Sequence, residues 1–303
     1  MSEKIPARQI FVGGMQRSGT TLLGRLLAQH PDAAGLSGTH TDEDEGQFVQ
    51  DVYADDHRMG GPTRWAFHPQ AHLTEQDVAE SSVARDSLSK AWAPYVTDSD
   101  ASVLIEKSPS NLTKTRWLRA VFPDSTFVVV TRHPAIQALA IQKWSGIGGS
   151  AGFGIEKRVD HWRHAMSTFR SDAAGLGDVW VVRYESLVAQ PREVLDALAA
   201  SIGLARFDFD VSSVRDQSSK YVDYWNAMRD APRGWSHPPV VIGGFGFPGS
   251  YTGRRALSRL YWGTRAAADR EIIARKYSVA AADWGYDVDA PGAVSSDGLP
   301  FAI

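Results

Sequence analysis

A chain of 303 residues is long enough to bury a substantial core, as one large domain or two small ones. Its 43% hydrophobic and 22% charged residues are ordinary for a globular protein, and a net charge of −3 argues against a general nucleic-acid binder. The absence of cysteine excludes disulfides, thiolate nucleophiles and cysteine metal sites. No run has the length of a membrane span, and the polar start of the chain offers no signal-peptide core, so the expectation is a cytoplasmic protein.

Ile10, Phe11 and Val12 read as the end of a buried strand, and Leu22, Leu23, Leu26 and Leu27 form the inner stripe of a following helix. His30 and Pro31 close that helix, and a short second strand is expected at 33–36. Four acids follow, Asp42-Glu43-Asp44-Glu45, ahead of Gly46-Gln47-Phe48. Residues 55–72 read as a loop excursion. Thr74 with Asp77 predicts a helix start, and the helix should run to 92. Residues 102–106 form a strand with Lys107-Ser108-Pro109-Ser110 as its exit turn, then a helix to 122. Thr126-Phe127-Val128-Val129-Val130-Thr131 lacks alternation, as expected of a strand buried on both faces of a parallel sheet. Arg132-His133-Pro134 opens a helix to 144, a glycine-rich loop covers 146–154, and a helix follows over 156–170. Val179-Trp180-Val181-Val182-Arg183 is another buried strand; Tyr184 leaves it, and Pro191 starts a helix ending near 203. The pattern fades over 206–255, where Tyr221, Tyr224, Trp225 and Trp235 stand, and helical patterning resumes over 256–284.

This alternation predicts one α/β domain over 1–303: three layers, a central parallel sheet flanked by helices, P-loop-NTPase-like. In such sheets ligands bind outside the carboxyl ends of the strands. That rule collects the loop at 13–21, Lys107, Arg132 and Tyr184 onto one edge.

The loop carries the chemistry. Gly14 and Gly19 have the spacing of the nucleotide-triphosphate loop G-x-x-x-x-G-K-[ST], and Thr21 fills its hydroxyl slot. Thr20 stands where the lysine should be, and the cation sits inside the turn at Arg17. Free N–H groups of the helix start and the positive end of its dipole complete an anion cradle. It suits a phosphate-like group better than ATP.

Arg17-Ser18-Gly19-Thr20-Thr21 after a strand resembles the 5′-phosphosulfate loop of sulfotransferases, which use 3′-phosphoadenosine 5′-phosphosulfate (PAPS) and release adenosine 3′,5′-bisphosphate (PAP). The resemblance covers roughly 9–50 and 100–200 and is closest to bacterial and Golgi-type members. Luminal members are usually membrane-anchored, so the missing anchor implies a bacterial-type soluble member. It implies that Arg17, Ser18, Gly19, Thr20 and Thr21 hold the 5′ end. It also implies that Arg132, at the end of its strand, binds the 3′-phosphate. The family's serine eight residues on is here Ala140, a departure for which Gln137 is a neighbouring candidate to compensate. Tyr184 resembles the family's residue beside the adenine, and Arg254, in Ser250-Tyr251-Thr252-Gly253-Arg254, resembles a late segment that closes on the nucleotide.

Glu106-Lys107-Ser108 resembles the pattern of carbohydrate sulfotransferases and gives Lys107 the acceptor or the moving sulfonate, with Glu106 as its partner. Only eight lysines stand among 32 basic residues, which makes one at this edge notable. A glutamate fourteen residues after the His-Pro in N-sulfotransferases corresponds to Glu45, the expected base, with His40 as the alternative. The catalytic set is therefore Glu45, Arg17 and Lys107, with no metal. The implied acceptor is a small or carbohydrate-like hydroxyl or amine compound, and the 146–154 loop and the aromatic 221–251 stretch are expected to line its cleft. The rival readings are a P-loop kinase or NTPase and a non-catalytic nucleotide-binding protein.

Overall fold

The structure, a computed structural model, describes residues 4–145, 154–231, 251–291 and 301–302, without the side chains of 143 and 251–255. Its sheet has the order β2-β3-β1-β4-β5-β6. The strands are β1 (Arg8–Gly14), β2 (Ala33–Ala34), β3 (Val103–Lys107), β4 (Thr126–Thr131), β5 (Val179–Arg183) and β6 (Phe301–Ala302). The first five pair in parallel; β6 runs antiparallel to β5, so the sheet is mixed. Two residues near the end of the chain close that edge, a pairing too short to leave a pattern in the sequence.

Alternate residues of the central strands feed two cores. Phe11, Leu104, Phe127, Val129 and Val181 point to one face. Ile10, Val12, Ile105, Val128, Val130 and Val182 point to the other. The period-two geometry of a strand makes both sets apolar when helices cover both faces. Helices α1 (Thr20–Leu27) and α7 (Pro191–Ser201) cover the second face. The first is covered by α2 (Ser81–Trp92), α3 (Thr115–Val121), α4 (Pro134–Ala140), α5 (Ile155–Ala173), α8 (Ser219–Arg229) and α10 (Ala266–Ala282). The remaining helices are α6 (Tyr184–Ala189) and α9 (Tyr251–Thr264). This is the three-layer α/β fold.

Several boundaries differ from expectation. Thr74 and Asp77 do form a capping box, but on a single 3-10 turn, and α2 starts afresh at Ser81. The exit of β3 is a 3-10 turn, Pro109–Thr113, ahead of α3. Within the stretch that lost its pattern, α8 is a full helix whose Tyr221, Tyr224, Trp225 and Met228 are buried. Aromatic residues facing inward on a short helix look like loop composition when read along the chain. Trp225 donates from Nε1 to the Val288 carbonyl at 2.8 Å and is fully buried, so it packs the core and lines no acceptor cleft. Trp235 and residues 146–153 lie outside the described residues.

Candidate active site

β1, β3, β4 and β5 end side by side, and each hands one functional segment to the same edge. From β1 comes the loop. Its Gly19 has φ of 104°, a left-handed conformation that L side chains resist, and a Cβ there would lie 2.6 Å from the Tyr184 ring. Only glycine lets the turn sit on that ring and start α1. Arg17 also has positive φ, 68°, and its side chain is exposed at the wall of a cleft of about 280 Å³. Thr20 and Thr21 line the same cleft. Ser18 is buried, and its Oγ has no hydrogen-bond partner among the described residues. Such an orphaned hydroxyl beside a helix N-terminus fits an anionic ligand oxygen.

Arg132, at the end of β4, is 3% exposed. It donates from Nη1 to the Arg17 carbonyl at 2.7 Å and from Nη2 to Ser218 Oγ at 2.7 Å, while its Nε is an orphan. The expected arginine and the loop are thus in direct contact. Ala140 brings no hydroxyl here, and it is Ser218, at the N-terminus of α8, that accepts from Arg132. Gln137 is turned towards the loop, its Nε2 donating to the Gln16 carbonyl at 2.8 Å. Tyr184 is 4% exposed, carries the Arg132 guanidinium 4.3 Å above its ring, and accepts from the Gln217 N–H. The ring supports Arg132 and the loop and offers no open face on which a base would stack. Arg254 is on α9, and its side chain lies outside the described residues.

The segment at the end of β3 meets the base candidate, which stands on the loop at 42–48. Lys107 donates from Nζ to Glu45 Oε1 at 3.1 Å and to the Glu43 carbonyl at 2.9 Å. Glu106 is not its partner. Neighbouring strand residues point to opposite faces, and Glu106 faces inward, fully buried, accepting from the Gly46 N–H, Ser108 Oγ and Asn111 Nδ2. A Cβ on Gly46 would meet Glu106 Oε1 at 2.6 Å, so that glycine lets the 45–48 backbone dock on the end of β3. Gln47 then fixes Glu45: its Nε2 donates to Glu45 Oε2 at 2.6 Å, and its Oε1 accepts from Ser110 Oγ. Glu45 lines the cleft, and burial pushes its carboxyl up to about 7, against the lowering pull of Lys107 and Gln47. His40 is exposed and is not among the cleft-lining residues.

A larger cleft of about 920 Å³, between α2 and residues 51–58, contains none of these groups. Chemistry, not volume, selects the smaller one. Among the described residues no cluster of three or more His, Asp or Glu is arranged to hold a metal ion, and no helix is long and apolar enough to cross a membrane.

A model of the sulfotransferase family matches residues 9–208, about two thirds of the chain, and spans every segment just described up to α7. The chain belongs to the sulfotransferase family. Among its relatives, the protein-tyrosine sulfotransferase 2 of Gallus gallus is 26% identical over 209 residues, covering 66% of this chain and 52% of that one. Nodulation protein NoeE of Sinorhizobium fredii is 26% identical over 220 residues, covering 64% and 49%. The chain thus spans about half the length of the curated relatives it matches. Among solved structures, the sulfotransferase STF9 of Mycobacterium avium aligns with a TM-score of 0.47 at 14% identity over 92% of this chain and 77% of that one. The sulfotransferase of Alicyclobacillus acidocaldarius aligns with a TM-score of 0.46 at 17% identity over 73% and 90%.

Sequence reading passed over Gln16, Gln47, Asp56, Trp144 and Ser218. Gln47 had a signal, its place directly after the acidic run. Ser218 had none, because its meaning lies in an arginine 86 residues earlier.

Proposed function

We propose that this sulfotransferase transfers a sulfonate from PAPS to a hydroxyl or amine of a small or carbohydrate-like acceptor. The observation that carries the reading is that Glu45 lines the same cleft as Arg17 while its carboxyl holds Lys107: a buried base, paired with a buried cation, beside an anion cradle. The cradle fits the donor's anionic tail, through Arg17, Thr20, Thr21 and the orphaned Ser18 hydroxyl. Arg132 with Ser218 fits a 3′-phosphate, and its unpaired Nε has a hydrogen-bond donor to offer.

In the proposed reaction Glu45 takes the proton of the acceptor O–H or N–H. The freed lone pair attacks sulfur in line, the bond from sulfur to the 5′-phosphate oxygen breaks, and PAP departs. Arg17 and Lys107 balance charge on the transferring sulfonate and the leaving phosphate, the electrostatic role that dominates group transfer of this kind. Lys107 is already held by Glu45, so proton uptake at Glu45 frees the ammonium for the sulfonate.

Calorimetry with PAP, followed by an acceptor screen with labelled PAPS, tests this. Micromolar PAP binding and labelled product are expected. Binding of ATP with magnesium and none of PAP would overturn the reading in favour of a phosphotransferase.

A further inference from the structure

The cleft has a second buried carboxylate that the reaction does not use. Asp56 is 2% exposed and lines the cleft together with Glu45. Its Oδ2 accepts from Gln16 Nε2, and its Oδ1 has no hydrogen-bond partner among the described residues. His57 Nε2 lies 3.9 Å from that oxygen, beyond hydrogen-bond range. A carboxylate oxygen taken out of water and left without a hydrogen-bond donor is a costly arrangement, and its frequent explanation is a partner that arrives later.

The surroundings hold this oxygen in place. Gln16 belongs to the loop, one residue before Arg17, and its Oε1 accepts from Trp65 Nε1 at 2.8 Å. That contact fixes the amide so that its NH₂ faces Asp56. From the other side, Gln47 Oε1 accepts the Asp56 backbone N–H at 3.1 Å while Gln47 Nε2 holds Glu45. One glutamine side chain therefore links the Glu45 carboxylate to the backbone of Asp56. Burial raises the Asp56 carboxyl, against the lowering pull of His57 and of the fully buried Lys114, whose ammonium lies 5.2 Å from the Tyr53 ring centroid and 5.9 Å from that of Trp65. Phe48, Pro62 and Trp144 give the cleft apolar walls, and Asp42 and Glu43 make its rim acidic.

Resting on the transfer reading, we propose that Asp56 is a specificity-determining residue that anchors the acceptor through a second hydrogen-bond donor, an amine or hydroxyl carried beside the group that receives the sulfonate. A molecule presenting one hydroxyl to Glu45 brings an adjacent donor to Asp56, because both carboxyls line the same cleft and stand close enough for the charge of Asp56 to raise Glu45. The acid-lined wall repels acidic acceptors and favours neutral or cationic ones. Since Gln16 ties Asp56 to the loop, the anchor and the donor cradle are set by the same turn.

The test is a matched acceptor series on the full chain: cyclohexanol, cyclohexane-1,2-diol and 2-aminocyclohexanol, each with labelled PAPS. The wild type is expected to favour the second-donor compounds over the monoalcohol by roughly tenfold or more in kcat/KM, as one charge-assisted contact allows. Asp56→Asn turns the free acceptor oxygen into an NH₂ and is expected to collapse that ratio towards one through KM. Collapse for the amino alcohol alone assigns the anchored group as an ammonium; collapse for both assigns any donor. A wild type with no preference, or an unchanged ratio in Asp56→Asn, overturns the proposal while PAP binding by calorimetry stays intact. Loss of PAP binding by the wild type instead removes the transfer reading and this proposal with it.

Discussion

Lys107 Nζ stands 3.1 Å from Glu45 Oε1, with both side chains only 9% exposed. Sixty-two residues separate them in the chain. Their pairing fixes a buried cation on a carboxyl that lines the cleft together with the loop's arginine. A buried pair costs desolvation that its attraction only partly returns, so retention of this one fits a functional use.

Glu45 has a carboxyl raised to about 7, with burial as the main cause. In the proposed role of base it acts only when ionised, so kcat should rise with pH through about 7 and level off above. Glu45→Gln should lower kcat by roughly 10²–10⁴-fold, the usual worth of general-base catalysis, with PAP affinity retained by calorimetry. Lys107 lowers the Glu45 value, so Lys107→Met should move the remaining rate limb to higher pH. Stability has the opposite sign: the folded state holds this proton more tightly than the unfolded chain, so the contribution is full below about 4.5 and is lost as pH rises through about 7.

Arg17→Ala should lower turnover by about 10²–10³-fold, as removal of a transition-state charge contact does, and should be read with labelled PAPS at saturating acceptor. Near-normal turnover would contradict the role given to the loop.

Gly19→Ala puts a Cβ 2.6 Å from the Tyr184 ring at a φ of 104°. Strain of this kind costs about 1–3 kcal/mol. A lowered melting temperature together with weakened PAP binding is expected, because the ring also carries Arg132.

Ser218→Ala removes the hydroxyl that stands on Arg132. A hydrogen bond to a charged group is worth roughly 1.5–3 kcal/mol, so PAP should bind about tenfold weaker or worse. Adenosine 5′-phosphate, which lacks the 3′-phosphate, should bind both forms alike. Equal losses for the two ligands would place Ser218 outside the 3′ site.

Trp225→Ala should cost stability and leave acceptor choice unchanged, since the indole is fully buried between α8 and α10. Truncation of a buried tryptophan costs about 3–5 kcal/mol. Denaturant titration and the matched acceptor series check the two halves separately.

The chain's local order determined a good part of this protein. Apolar runs in β1, β4 and β5, each followed by a helical stripe, required a sheet covered on both faces, because uninterrupted valines have nowhere else to be dry. The glycine spacing with Arg17 and three hydroxyls required a turn that leaves helix N–H groups free. Those features act within a dozen residues, so they are visible in one dimension. Only the tertiary structure decided who meets whom. Whether Lys107 would pair with its neighbour Glu106 or with Glu45 depended on which face of β3 each residue took, and on Gly46 letting a distant loop dock there. Ser218 met Arg132 because α8 packs against α4, the helix that starts where β4 ends. Asp56 became a cleft residue because Gln16 and Gln47 hold it from opposite sides. Contacts of that kind join segments tens of residues apart, and packing, not local propensity, selects them.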